Sequence, residues 1–209
     1  MTRSAIALAQ MVAITLVFFV GAEQKYKNYE LVVDGKTYEL NLNEKIEIKT
    51  KGGAKLKVEL RKKPFAEFSD DRVSFQHKSE MSVSTQNLGD GLTQIMSASA
   101  LGTLVMIQEY DNMDPTPIVP LLLREITKEQ VEYGYKLSQE NITRTLASGV
   151  KLTGVKATLR YQSEEAYVEI LTFGKKDKGI VVVTQIDREF LGADKSVHDL
   201  FWKTFKVKD

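Results

Sequence analysis

The sequence predicts an α+β fold in which an antiparallel β-sheet is sandwiched by helices and preceded by a small β-meander. Three observations support this prediction. Polar and apolar residues alternate with period two over residues 29–61, and strand patterns recur between residues 141 and 186. Two stretches, residues 117–137 and 197–205, instead repeat apolar residues at helical spacing. Turn residues join neighbouring strand patterns, and hairpins with segregated helices are typical of the α+β class.

The first 22 residues have the pattern of a secretory signal peptide. Arg3 precedes an apolar run from Ala5 to Ala22, which ends in the small-x-small sequence Val20-Gly21-Ala22. We therefore predict cleavage after Ala22 and an extracytoplasmic location, either periplasmic or secreted. The run is also just long enough to span a membrane, so a membrane anchor at residues 5–22 is the alternative. A bacterial lipoprotein is excluded because no cysteine follows the run.

The composition limits the chemistry of an exported protein. The chain contains no cysteine, which excludes disulfides, thiolate metal ligands and thiol nucleophiles, so a hydrophobic core must hold the fold. The formal net charge is +1 and becomes zero once Arg3 is removed. Because nucleic-acid binding needs a clear basic excess, we predict no nucleic-acid partner.

Residues 23–64 are predicted to form the β-meander, with four short strands. Asp34-Gly35 and the glycine pair Gly52-Gly53 supply turns between them. Eight Lys or Arg residues against three Glu residues lie between Glu44 and Lys63. Such lysines blunt the exposed edges of a sheet; the functional alternative is a surface for anions, polysaccharide or lipid headgroups. Pro64 marks the domain boundary, because proline cannot continue a central strand.

Residues 65–209 are predicted to form the second domain. Its strand patterns cover residues 65–76, 81–84, 92–98, 103–110, 141–146, 150–162, 166–173 and 179–186. A long helix is predicted from about Pro117 to Leu137, with a break at which Thr127 caps a second helical piece. A terminal helix is predicted over about Val197 to Phe205, with Ser196 as its N-cap.

The second domain resembles the PsbP-like fold, which is an antiparallel sheet between helices. The resemblance covers about residues 65–207 and depends on layout and a few local segments. These are the opening strand Asp70-Asp71-Arg72-Val73-Ser74-Phe75, the late meander of Gly154–Tyr161, Val168–Phe173 and Gly179–Thr184, and the closing helix Phe201-Trp202-Lys203-Thr204-Phe205-Lys206. The opening strand lacks the Pro-x-x-Trp that often follows it in this family. The resemblance implies a non-enzymatic, accessory envelope protein of the PsbP and DcrB type, and it carries over no functional residue.

The two histidines are the first candidates for chemistry. His77 has Asp70 and Asp71 upstream and Glu80 downstream, and His198 lies beside Asp199. A metal site needs several such ligands to converge, and a surface or structural role is the expected one for both histidines. No Gly-x-Ser-x-Gly nucleophile elbow accompanies them.

Four further patterns have a structural interpretation beside a functional one. Glu109, Asp111 and Asp114 surround a loop but lack the spacing of a calcium loop, so a solvated turn is expected. Leu88-Gly89-Asp90-Gly91 lacks the Lys-Ser of a phosphate loop and is interpreted as a hairpin turn. Asn141-Ile142-Thr143 matches the glycosylation acceptor pattern. The aromatic residues Phe201, Trp202 and Phe205 form either a ligand cradle or, as expected, part of the core.

The sequence thus assigns no catalytic, cofactor-binding or metal-binding residue and predicts no cofactor. The leading hypothesis is an exported, non-catalytic accessory or binding protein of the cell envelope, whose partner is a protein or another envelope component. One alternative is a hydrolase with an atypical site near His77 or His198. The other is a membrane-tethered scaffold, which requires that residues 5–22 are retained.

Overall fold

A computed structural model describes residues 27–208 and divides the chain into two compact units, residues 1–62 and 63–209. The predicted leader, residues 1–22, lies outside the described residues. The strands of the first unit are β1 (Tyr29–Val33), β2 (Lys36–Leu40), β3 (Lys45–Lys49) and β4 (Lys55–Glu59). The second unit contains β5 (Phe65–Ser69), β6 (Val73–Lys78), β7 (Val83–Gly89), β8 (Leu92–Ala98), β9 (Leu104–Tyr110), α1 (Val119–Tyr133), β10 (Lys136–Thr145), β11 (Lys151–Tyr161), β12 (Glu164–Lys175), β13 (Lys178–Asp187), α2 (Leu191–Thr204) and β14 (Lys206–Val207).

The first unit contains the four predicted short strands, but they form two separate hairpins because β2 and β3 do not pair. β1 pairs with β2 and β3 pairs with β4, with a single isolated bridge between Leu42 and Leu60. The segment between β2 and β3 folds into a turn, in which Asn43 is left-handed and the Glu44 carboxylate accepts a hydrogen bond from the Asn41 N–H (2.8 Å). This turn separates β3 from β2. Leu40 of β2 and Ile48 of β3 are the fully buried side chains of the described part of this unit.

The second unit is built on a seven-stranded antiparallel sheet in the order β10-β11-β12-β13-β9-β8-β7. A three-stranded sheet, β14-β6-β5, accompanies it. The unit is therefore α+β with antiparallel sheets and two helices. Its β7–β8 hairpin turns at Asp90-Gly91, where both residues have positive φ, which confirms the predicted hairpin. The β12–β13 hairpin pairs Gly174 with Gly179.

Neighbouring residues of the central strands alternate between two separate hydrophobic cores. Leu171 and Val182 belong to the core that contains Phe201, Trp202 and Phe205 of α2. That core also includes Val73 and Phe75 of β6, so a small sheet contributes to it besides the helix. The three aromatic residues of α2 are therefore part of the core, as expected, and do not form an open cradle.

The other core contains α1. Val119 and Leu123 of α1 pack with Val168 and Ile170 of β12 and with Val181 of β13. The alternation of β13 between two apolar cores explains its apolar run over residues 180–183, because neither face of this stretch meets water.

Both predicted helix caps are wrong. Thr127 is buried within α1, where its hydroxyl donates to the Leu123 carbonyl (2.8 Å), so no break occurs there. The helix ends at Gly134, whose φ of +120° is unfavourable for residues with a Cβ, and Leu137 accordingly lies in β10. α2 begins at Leu191, so Ser196 lies inside the helix. Within residues 27–208, no helix is both long and apolar enough to cross a membrane.

Candidate functional site

The second unit contains an acidic tyrosine cavity of about 500 Å³. It lies where α1 ends, β11 turns into β12 and β13 ends. Its lining residues are Gln130, Tyr135, Ser163, Glu164, Glu165, Ala166, Gln185, Asp187, Arg188 and Glu189. Four of these ten side chains are carboxylates and one is a cation, so the cavity offers mainly hydrogen-bond acceptors and negative charge.

Three tyrosine rings contact one another, and one of them, Tyr135, lines this cavity. The Tyr133 and Tyr135 rings lie 5.2 Å and 5.3 Å from the ring of Tyr161, measured between centroids. Gly134 lies between the first two, and a Cβ there would approach the Tyr161 ring to 3.4 Å. Tyr133 is 69% exposed. The left-handed glycine that ends α1 thus also places an exposed aromatic surface beside the carboxylates.

The carboxylates of the cavity differ in their hydrogen-bond partners. Glu165 is paired with Arg160 (3.0 Å) and Arg188 (2.9 Å), and its pKa is lowered by hydrogen bonds from Tyr167 and Arg160. Glu164 accepts the Tyr135 hydroxyl, which raises the pKa of that tyrosine to about 12.

Asp187 lies at the end of β13 within the same cavity. Its pKa is raised by burial and by the charge of Glu164. The negative charge of Glu164 therefore raises the pKa of both Asp187 and Tyr135. The charge of Glu165 is instead neutralised by its two arginines. The arrangement suits the binding of a group that donates hydrogen bonds and contacts aromatic rings.

A second polar cluster, here called the Arg144 cluster, surrounds the predicted candidate His198. Arg144 of β10 donates to Glu169 of β12 (2.8 Å), and its guanidinium carbon lies 4.2 Å from the centroid of the Trp202 ring. The Trp202 indole N–H donates to Nε2 of His198 (3.1 Å). Nε2 is 3.7 Å from Glu169, which is beyond hydrogen-bond length.

The charge of Glu169 is compensated within this cluster. Burial raises the pKa of Glu169, but the His198 side chain and the Arg144 guanidinium outweigh it, so the pKa lies below its ordinary value. The indole N–H is only a donor, so Nε2 of His198 accepts this hydrogen bond. The geometry is that of a structural network.

The other histidine, His77, contacts the backbone. Nδ1 of His77 donates to the Lys78 carbonyl (2.9 Å), and its ring lies 6.3 Å from that of Phe75. The structure does not gather Asp70, Asp71 and Glu80 around it. Within the described part of the chain, no three His, Asp or Glu side chains are placed to hold a metal ion.

The three carboxylates around the predicted loop have separate environments. Asp111 pairs with Arg72 (2.8 Å), and Asp114 accepts the Thr116 N–H (2.8 Å). Glu109 is only 7% exposed, and burial, with the nearby charge of Asp70 adding to it, raises its pKa to about 7. The acceptor triplet Asn141-Ile142-Thr143 lies within the edge strand β10.

Reasoning from the sequence missed Arg144, Glu169, Tyr135 and Glu164. Glu169 stands between the buried Val168 and Ile170, so the alternation indicates a solvent-facing side chain. In the folded protein, helix α2 covers Glu169, although α2 is distant from it in the sequence. For Tyr135, the available signal was Gly134, since a glycine at this place indicates the end of a helix and puts Tyr135 outside it.

No protein family matches the chain, and no curated protein sequence matches it. Among solved structures, the solution structure of cyanobacterial PsbP from Synechocystis sp. PCC 6803 is similar, with a TM-score of 0.45 and 11% identity over 69% of this chain and 92% of that one. A crystal structure from Bacteroides thetaiotaomicron has a TM-score of 0.40 and 7% identity over 70% of this chain, which spans 50% of that one. The expected likeness to PsbP is thus found, and nothing about function follows from scores this low.

Proposed function

We propose that this protein is an exported, non-catalytic accessory or binding protein of the cell envelope, and that the acidic tyrosine cavity contacts its partner. The observation that carries the proposal is the make-up of that cavity. Its described lining offers carboxylates, amides and tyrosine, and contains no histidine or lysine that would activate its one serine, Ser163. Such a set of groups supports recognition of a partner that donates hydrogen bonds.

We also propose that residues 65–207 form a PsbP-like sandwich. The separate cores of α1 and α2 support this, because Leu123 and Phe201 pack with alternate residues of β12 and β13. The α2 core differs from a simple helix-covered face, because strand β6 also packs into it.

The hydrolase alternative near His77 or His198 has less support from the geometry. His198 accepts the Trp202 indole, and His77 donates to a backbone carbonyl. If the protein is a hydrolase built on either residue, His77→Ala or His198→Ala will abolish turnover of ester, amide and phosphate test substrates. We expect the purified chain to turn over none of them.

Two measurements test the proposed location and the proposed surface. The mass of the N-terminus in cells shows whether Glu23 is the first residue, and a chain that retains Arg3 favours the tethered scaffold. A photo-crosslinking amino acid at position 133, beside the cavity, is expected to give a discrete crosslinked species in the envelope. The same probe at Leu88, which is exposed on β7, is the matched control.

The crosslinking result has two outcomes that contradict the proposal. Equal crosslinking from positions 133 and 88 would show that the contact is not specific to the cavity. Recovery of the chain in the cytosol with residues 1–22 intact would remove the envelope role.

A further inference from the structure

The β3–β4 hairpin of the first unit has one fully charged face. Antiparallel pairing places Lys45 opposite Glu59, Glu47 opposite Lys57, and Lys49 opposite Lys55. Because side chains alternate across a strand, these six residues share one face, and Ile46, Ile48, Leu56 and Val58 share the other. The residues of this face are exposed, apart from the half-buried Glu59.

The two glutamates of this face are already paired. Lys55 binds Glu47 (2.9 Å), and Arg61 binds Glu59 (2.6 Å). None of the ion pairs within residues 27–208 involves Lys45, Lys49 or Lys57. Lys49 and Lys55 stand directly opposite each other, a placement of like charges that destabilises a sheet, and the Lys55–Glu47 pair offsets part of this repulsion. The face therefore carries four lysines against two glutamates and has an excess of positive charge.

The charge of the chain is divided between the two units. Residues 27–62 contain nine Lys or Arg and six Asp or Glu, whereas residues 63–209 contain 18 and 21. Within the first unit, the β1–β2 hairpin places Glu30 opposite Glu39. Residues 45–62 contain seven Lys or Arg against two Glu, so the positive charge of the first unit lies on the β3–β4 hairpin and the residues directly after it.

We infer that the lysine face of β3–β4, residues Lys45, Lys49 and Lys57, binds the headgroups of anionic phospholipids at a membrane surface. Lysine is a flexible point charge without the fixed geometry of arginine, and an exposed two-stranded face suits an extended anionic surface better than one small anion. A bilayer is the extended anionic surface that the proposed envelope location provides, whether or not residues 5–22 are retained.

The experiment measures binding of the full chain, with the N-terminus it carries in its envelope, to vesicles. Phosphatidylglycerol–phosphatidylcholine vesicles are compared with phosphatidylcholine vesicles alone. The test variant is Lys45→Gln/Lys49→Gln/Lys57→Gln, and the matched control is Lys151→Gln/Lys176→Gln/Lys203→Gln, which removes three exposed lysines from the second unit. Thermal unfolding of each variant shows that the fold is kept.

We expect the face variant to bind anionic vesicles about 100-fold more weakly, since each lysine near an anionic bilayer strengthens binding about fivefold. The control is expected to change binding by less than about threefold. Binding of the unmodified chain should weaken as ionic strength rises. An equal loss in both variants, or equal binding to neutral and anionic vesicles, would overturn the inference.

A face-dependent affinity for heparin or DNA without affinity for the vesicles would also overturn it. The inference rests on one part of the proposed function, the location in the cell envelope, and does not depend on the cavity. Failure of vesicle binding leaves the cavity's crosslinking result standing. A cytosolic location would refute the proposed function without changing the vesicle measurement.

Discussion

The guanidinium of Arg144 lies over the ring of Trp202, with 4.2 Å between its central carbon and the ring centroid. The contact joins the edge strand β10 to α2, and the same guanidinium binds Glu169 on β12. One side chain therefore neutralises a largely buried carboxylate, which is 12% exposed, and covers the indole that borders the core. The stability of the second unit should depend on Arg144 more than on most of its surface arginines.

We expect Arg144→Met to reduce the free energy of unfolding by about 2 kcal/mol, because it leaves Glu169 without its cation and removes a cation–π contact. The control is Arg124→Met, since Arg124 is an exposed partner of the adjacent Glu125 and such pairs contribute little. Urea denaturation measures both. Adding Glu169→Gln to Arg144→Met should recover part of the loss, and equal effects of the two arginine substitutions would contradict this assignment.

Stability should fall as pH rises through neutrality, because of Glu109. Its pKa is about 7 in the fold against an ordinary value of 4.5, and burial is the main cause. The folded state therefore binds more protons than the unfolded state between these values. The stabilising contribution is complete below pH 4.5 and is lost as pH rises through 7, by about 3 kcal/mol.

Glu109→Gln should remove this dependence. Urea denaturation from acidic to mildly alkaline pH is expected to show the variant gaining stability relative to the unmodified chain as pH rises. Glu140→Gln, on the exposed strand β10, is the control and should give a constant difference. A Glu109→Gln curve parallel to that of the unmodified chain would show that Glu109 keeps an ordinary pKa.

Arg72 should shift the titration of Glu109. It donates to the carbonyls of Tyr110 (3.2 Å) and Gly179 (2.9 Å), and its charge opposes the rise in the pKa of Glu109. Arg72→Met should cost about 2 kcal/mol through the lost charged hydrogen bonds. It should also move the stability loss to higher pH, because the pKa of Glu109 rises further. Arg61→Met, at an exposed pair, should do neither.

A pair of glycine substitutions tests the packing of the central sheet. A Cβ on Gly154 of β11 would lie 1.9 Å from the Ile170 carbonyl oxygen of β12, a backbone atom that cannot move aside without distorting the strand pair. Gly154→Ala should therefore destabilise the protein by about 3 kcal/mol or more. Gly192→Ala, in the first turn of α2 with open space around it, should stabilise it by about 0.5 kcal/mol. Thermal unfolding distinguishes the two, and similar melting temperatures would contradict the model of the β11–β12 pair.

The hairpins were predictable because their turns are local. Asp34-Gly35 and Asp90-Gly91 adopt positive φ at both positions, a conformation that aspartate and glycine tolerate, so the residues at the turn suffice to specify it. The two helix caps were mispredicted for the opposite reason. Thr127 has the side chain of a capping residue, but burial in α1 against β-sheet residues overrides that local preference.

The sequence by itself determined the alternation of strands, the positions of tight turns, the α+β class and the absence of thiol chemistry, since all of these depend on neighbouring residues or on composition. Only the tertiary structure decided that Arg144, Glu169 and Trp202 form one network and that Tyr135 faces Glu164. It likewise gave Glu109 its raised pKa. Those properties depend on which distant strands and helices exclude water from a side chain, and the energy of a charge or hydrogen bond depends on that exclusion.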